Sequence, residues 1–240
     1  MKKRALALGP FALVASVSGL CGQTIDVEFE GASVSAFTAE DQTLIRTIAE
    51  EAYYKVRQLL PQLTETVRLT VVAGPDVIPA TGDGGAAMAP GHIRWTVDPQ
   101  RPEGIAGIAR AHLRAALFHE LHHLVRGYVM VGGATSISLL DAVVSEGLAT
   151  VFSRDFAGDS PPWGDYPENV RDWVEELVAL PPSAEDDYDQ WMFAHPDGRR
   201  WIGYRAGTYI ADQAMAASGL SAVELVSTPT DEILHLAGIR

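Results

Sequence analysis

Apolar residues recur at helical spacing through Leu44, Ile45, Ile48, Ala52, Val56 and Leu59, which predicts a long amphipathic helix in "FTAEDQTLIRTIAEEAYYKVRQLLPQL". Thr38, with Asp41 three residues on, is its predicted N-cap. "TVRLTVVAG" then changes to the alternation and β-branched content of a strand, and His92 to Val97 in "GHIRWTVDP" reads as a second. The Gly/Pro/Ala-rich residues 74–91 read as a loop with few side chains to offer a core. The strand after that loop reads either as an ordinary paired strand or as a sheet edge able to accept an extended peptide. A second helix is expected to start between Arg101 and Ile108 and to run to about Arg126, where Gly127 can end it. "TSISLLDAVVSEGLATVFSRDFAG" predicts a strongly apolar helix, capped near Thr135 or Ser136 and stopped around Gly158. Residues 159–200 are less regular, with Pro161, Pro162, Pro181 and Pro182 bounding a helix in "ENVRDWVEELVAL". "WIGYRAGTYIADQAMAASG" and a short segment at 230–237 complete the predicted helices. The order describes an α+β protein, with a small α/β lobe over roughly 23–127 and a mostly helical lobe over 128–240.

Residues 1–22 stand apart, because three basic residues precede the mostly apolar stretch from Ala5 to Leu20. That is the charged head and apolar body of a signal peptide, and it implies export to the bacterial periplasm or cell envelope, or secretion. A retained membrane anchor fits less well, since the stretch is short for a bilayer and contains Gly9 and Pro10. Cys21, the only cysteine, stands where a lipoprotein carries its lipid, although Leu20 departs from the small residue expected before it. Soluble export and lipid anchoring at Cys21 both stay open, and a lone cysteine forms no intrachain disulfide. Removing 1–22 takes the formal charge from -13 to -16, which argues against a nucleic-acid partner. The remaining composition, 47% hydrophobic and 20% charged, is that of a folded chain.

The chemistry centres on "LFHELHH", in which His119, Glu120 and His123 spell H-E-x-x-H. Residues four apart on a helix share a face, so both imidazoles can reach one ion, while Glu120 lies roughly 100° around the axis, beside it. That suits a carboxylate taking a proton from metal-activated water. A catalytic zinc site needs one more hard ligand and an open position. Glu146, 23 residues beyond His123, is the candidate, because an ionised Glu in so apolar a helix is costly unless paired, metal-bound or turned to solvent. The bland reading sets Glu146 in a narrow polar stripe with Asp141 and Ser145. Gly147 beside it either admits the metal-bearing helix closely or marks a bend. Two imidazoles and a carboxylate favour Zn²⁺, with iron not excluded by ligand type. His112 lies more than a turn and a half before His119 and reads as structural or surface. His122 points off the ligand face, to a hydrogen bond or to solvent, and Asp141 is a weak candidate to support a ligating histidine from behind.

Together "HELHHLVRG", "LLDAVVSEGLATVF" and "WIGYRAGTYI" resemble a bacterial family of predicted zinc-dependent proteases, domain of unknown function 2268, and more broadly the glutamate-zincin metallopeptidases, over roughly residues 38–237. The resemblance implies a zincin-like fold, with His119, His123 and Glu146 as zinc ligands and Glu120 as general base. It also draws attention to Tyr204, in "GYRAG", as a donor to the oxyanion; Tyr209 and His195 are further candidates, and Arg205 is set aside. Packing of the second lobe, with Trp201 and Ile210, is the competing role for these tyrosines. The expected activity is a zinc peptidase, endopeptidase rather than exopeptidase. Its peptide or protein substrate would lie along the strand containing Ile93, Trp95 and Val97. A zinc hydrolase of nonpeptide amides and a noncatalytic, metal-stabilised peptide-binding module are the alternatives. A helical structural protein carrying an accidental motif is a more remote one.

Overall fold

Four strands form one mixed sheet in a computed structural model that describes residues 24–30, 35–131, 138–159, 161–181 and 187–240. The readings of residues 1–22, including Cys21, lie outside the described residues. The strands are β1 (Ile25–Phe29), β2 (Val67–Ala73), β3 (Asp83–Ala89) and β4 (His92–Val97), in the order β1-β2-β4-β3. β2 runs parallel to β1 and β4, and β3 is antiparallel to β4. Helix α1 (Ala39–Leu59) makes the crossover from β1 to β2 that a parallel pair requires. Its start is a full capping box, Thr38 and Asp41 each bonding the other's backbone, and Ile45, Ala49, Ala52, Tyr53 and Val56 are buried.

The stretch read as a loop over residues 74–91 contains β3. "DGGAAMA" has none of the β-branched residues that signal a strand, and its order comes from pairing with β4 and packing against α3. β4 therefore has a neighbour on each side, and β1 and β3 are the edge strands; the expectation that the Ile93–Val97 strand receives a peptide is corrected accordingly. Trp95 stays internal, its indole N–H donating to Asp83 at 2.8 Å.

One helical run then crosses the molecule as α2 (Gly104–Ile108), a π-turn (Ala109–Leu113) and α3 (Arg114–Arg126), ended by Gly127 at φ 78°. α3 lies between the sheet with α1 on one side and α4 (Leu139–Ala157) on the other. After α4 come α5 (Val170–Val178), α6 (Tyr188–Met192), α7 (Ile202–Ser218) and α8 (Thr230–Leu236). The architecture is thus a mixed α/β N-terminal region and a mostly helical C-terminal one, and a single apolar cluster passes from Leu69 and Trp95 through Phe118 and Phe152 to Ile210 and Ile233. The cap of α4 is Ser138, boxed with Asp141, rather than Thr135 or Ser136, which lie outside the described residues.

The closest helix contact is between α4 and α7, and glycine makes it. A Cβ on Gly147 would stand 2.0 Å from the Gly207 carbonyl carbon, and one on Gly207 would stand 2.0 Å from the Val143 oxygen. Gly147 therefore admits α7, not the motif-bearing helix. Gly207→Ala should force these helices apart and cost about 1–3 kcal/mol of stability, read by urea denaturation of the metal-free protein.

Candidate metal centre

The face of the run through α3 that turns to the C-terminal region carries His112, Ala116, His119 and His123, spaced three and four apart, with Glu120 next to His119 and further around the axis. α4 presents Glu146 to it. The two imidazole Nε2 atoms are 2.9 Å apart, with their rings nearly perpendicular at 85°. Glu146 Oε2 lies 2.9 Å from His119 Nε2 and 3.2 Å from His123 Nε2. The three side chains offer ligand atoms all within 4.8 Å of one another, in a nearly closed setting where His123 is 3% and Glu146 8% exposed.

Three basic atoms so close repel one another unless a proton or a cation lies among them. Burial would raise the Glu146 carboxyl, but the positive charge of His123 and the bonds from both histidines hold it well below the usual carboxylate range. Burial would lower His119, but its bond to Glu146 and that carboxylate's charge leave it above the ordinary imidazole value. Two imidazoles, one carboxylate and an open cavity beside them fit a divalent ion of the Zn²⁺ type.

Glu120 is not one of the three converging groups; it leans on β3, where a Cβ on Gly85 would meet its Oε1 at 2.9 Å. Burial raises its carboxyl above the usual value, while His119 and His123 pull it back. That contact explains the glycine: any side chain at position 85 would displace the carboxylate.

Tyr204 of α7 faces the same space, lining the cavities on both sides of Glu120, and burial keeps its phenol protonated. Tyr209 packs edge-on against Tyr166 instead. His195 pairs with Asp197 at 2.9 Å and stacks on Trp191, and Arg205 donates to the Pro162 carbonyl, so neither joins the centre. His122 is fully buried against Phe152, kept neutral by desolvation, rather than facing solvent. Asp141 caps α4 through Ser138 and does not stand behind a ligand. The stripe of Asp141 and Ser145 serves Arg126, the last residue of α3. Arg126 donates to Ser145 Oγ at 2.9 Å and to the Val226 and Thr228 carbonyls at 3.0 and 2.9 Å.

Two tyrosines escaped the sequence reading. Tyr128 and Tyr188 share a hydrogen bond of 3.1 Å beside Glu146, and the Tyr128 ring lies 4.8 Å from that of His123. Burial pushes the Tyr188 phenol up to about 12 and Tyr128 higher still. The available signal was "RGY": the helix ends at Gly127, and the Tyr128 amide bonds back to the His123 carbonyl at 3.0 Å, fixing the ring next to that ligand.

The model of the family described as predicted Zn-dependent protease (DUF2268) matches residues 45–235. The uncharacterized protein YjaZ of Bacillus subtilis (strain 168) is 26% identical over 127 residues, which span 50% of this chain and 49% of that protein. No solved structure matches the chain.

Because His119 holds its proton above the ordinary imidazole range, metal binding must displace that proton. Zinc affinity should rise with pH through the histidine range and level off above the raised His119 value. Calorimetry in buffers of different ionisation enthalpy should read the release. Glu146→Ala should weaken zinc binding by more than the 10–100-fold typical of outer-shell changes. It should also reduce the proton release, since His119 loses the carboxylate that raises it.

Proposed function

The chain belongs to the DUF2268 family of predicted Zn-dependent proteases, and from that premise we propose that it is a zinc peptidase in which Glu120 is the general base and His119, His123 and Glu146 are the ligands. The observation that carries the reading is the convergence of those three side chains with a second carboxylate, Glu120, beside them. Zn²⁺ at the three ligands would supply the Lewis acid that polarises a carbonyl and the attacking water.

The chain's own residues do the rest. Glu120 accepts the water's proton and delivers it to the departing amine, so that C–N cleavage yields a carboxylate and an amine. Its raised carboxyl brings it nearer the working pH of a base. Tyr204, kept as a phenol, donates to the oxyanion.

The substrate backbone lies against β3, antiparallel to it, since that pairing is the more stable per residue. Along this edge the Asp83 carbonyl already accepts the Ile78 amide and the Ala87 carbonyl accepts the Met130 amide. Gly85 stands between them, directly over Glu120. Cavities continue along the strand on both sides of Glu120, which favours an endopeptidase, since a chain can extend both ways. Export directed by residues 1–22 is part of the same proposal.

Glu120→Gln should keep full zinc stoichiometry and lose about 10²–10⁴ in kcat on a cleaved peptide. Tyr204→Phe should lose about 10²–10³ in kcat with little change in KM. Full activity in Glu120→Gln would remove the base from the mechanism. A fully zinc-loaded protein that cleaves no peptide would favour the nonpeptide hydrolase or the binding module.

A further inference from the structure

Gly85, His119, Glu120 and Tyr204 line two cavities at once, one on either side along β3. They differ in size and in wall. Toward the Asp83 end is a smaller pocket of about 90 Å³, on which Ala115 and Ala116 of α3 face Ile78, Pro161 and Trp163. Its inner polar groups are already engaged: Ser153 donates to the Ala115 carbonyl, Thr81 to the Asp83 carbonyl, and the Asp83 carboxylate receives the Trp95 indole. Toward the Ala87 end is a trough of about 510 Å³, with Tyr128, Tyr188, Met130 and Phe193 along it. Met130 is 71% and Phe193 38% exposed, apolar side chains at the rim with surface still to cover. Among the described residues no Lys or Arg lines either cavity, while Asp83 and Asp159 line one and Asp189 the other, which disfavours an acidic side chain in both.

We propose that these cavities are unequal side-chain subsites. The smaller one limits the residue after the scissile bond to a small aliphatic side chain, and the larger takes a bulky apolar residue before it. This rests on the peptidase reading. A substrate strand antiparallel to β3 sends its carboxyl side toward Asp83, hence to the pocket. A dry cavity of about 150 Å³ holds a benzene ring, so a pocket of about 90 Å³ takes the branch of Val or Leu in preference to a phenyl group. Ala116 sets the limit from the helix side, four residues before Glu120 and on the same face. Ile78 sets it from the opposite wall.

The zinc-loaded full chain, given a peptide library randomised on both sides of the cleaved bond and read by mass spectrometry, should cut before Ala, Val or Leu and after Phe, Tyr, Trp or Met. An aromatic residue after the bond should slow cleavage at least about tenfold, the low end of what one excess methylene does in an apolar pocket. Ala116→Leu should narrow that position to Gly and Ala, and Ile78→Ala should admit Phe, each without altering the preference before the bond. Equal cleavage before aliphatic and aromatic residues, a size limit on the amino side instead, or variants that leave the limit unmoved would overturn the assignment. If zinc is bound and no peptide is cut, the peptidase reading fails, and labelled peptides on zinc-loaded Glu120→Gln separate the two claims. Binding at least about tenfold tighter for Val than for Phe peptides supports the pockets alone; equal or absent binding overturns them as well.

Discussion

A carboxylate buried in an apolar helix is tolerable only where fixed partners carry its charge, and Glu146 has two, both on α3. This contact makes the interface of α3 and α4 more than packing. Phe118 against Phe152 supplies the apolar contact between the two helices, while the imidazoles and the carboxylate supply a polar centre that only a proton or a cation can neutralise. The geometry of these three side chains is thus set by the packing of two helices, each ordered by its own neighbours. The sheet and α1 hold α3 from one side, and α7 holds α4 from the other.

Much of this was legible in the sequence because it follows from local rules. The Thr38 capping box, the strand from His92 to Val97, the Gly127 stop and the i, i+4 pairing of His119 and His123 all depend on residues close in sequence. What was not legible depends on partners far away. β3 carries no strand-forming side chains and exists because β4 pairs with it and α3 packs on it, so its own residues read as a loop and the sheet edge reads one strand too far in. Gly147 was rightly singled out as small, but the backbone that needs its smallness is Gly207, sixty residues on. Asp141 looked like chemistry and is a cap. Tyr128 and Tyr188 meet only in the fold.

The "GYRAG" segment shows how packing and chemistry share a sequence. Its two glycines, Gly203 and Gly207, are spaced one helical turn apart and let α7 settle on Met192 and Val143. With α7 held that close, Tyr204, one residue beyond Gly203, stands among Trp163, Phe193 and Trp201 while facing Glu120 and Glu146 across open space. The glycines bring the helix in, and the tyrosine is the side chain that arrives.

Arg126 ties the end of α3 to the C-terminal segment. It closes the helix that bears the ligands, yet its guanidinium is satisfied by carbonyls at Val226 and Thr228, a hundred residues later. The helix that bears the two histidines is thereby pinned at its last turn by a segment distant in the chain, so loosening residues 226–230 would loosen the end of α3 as well.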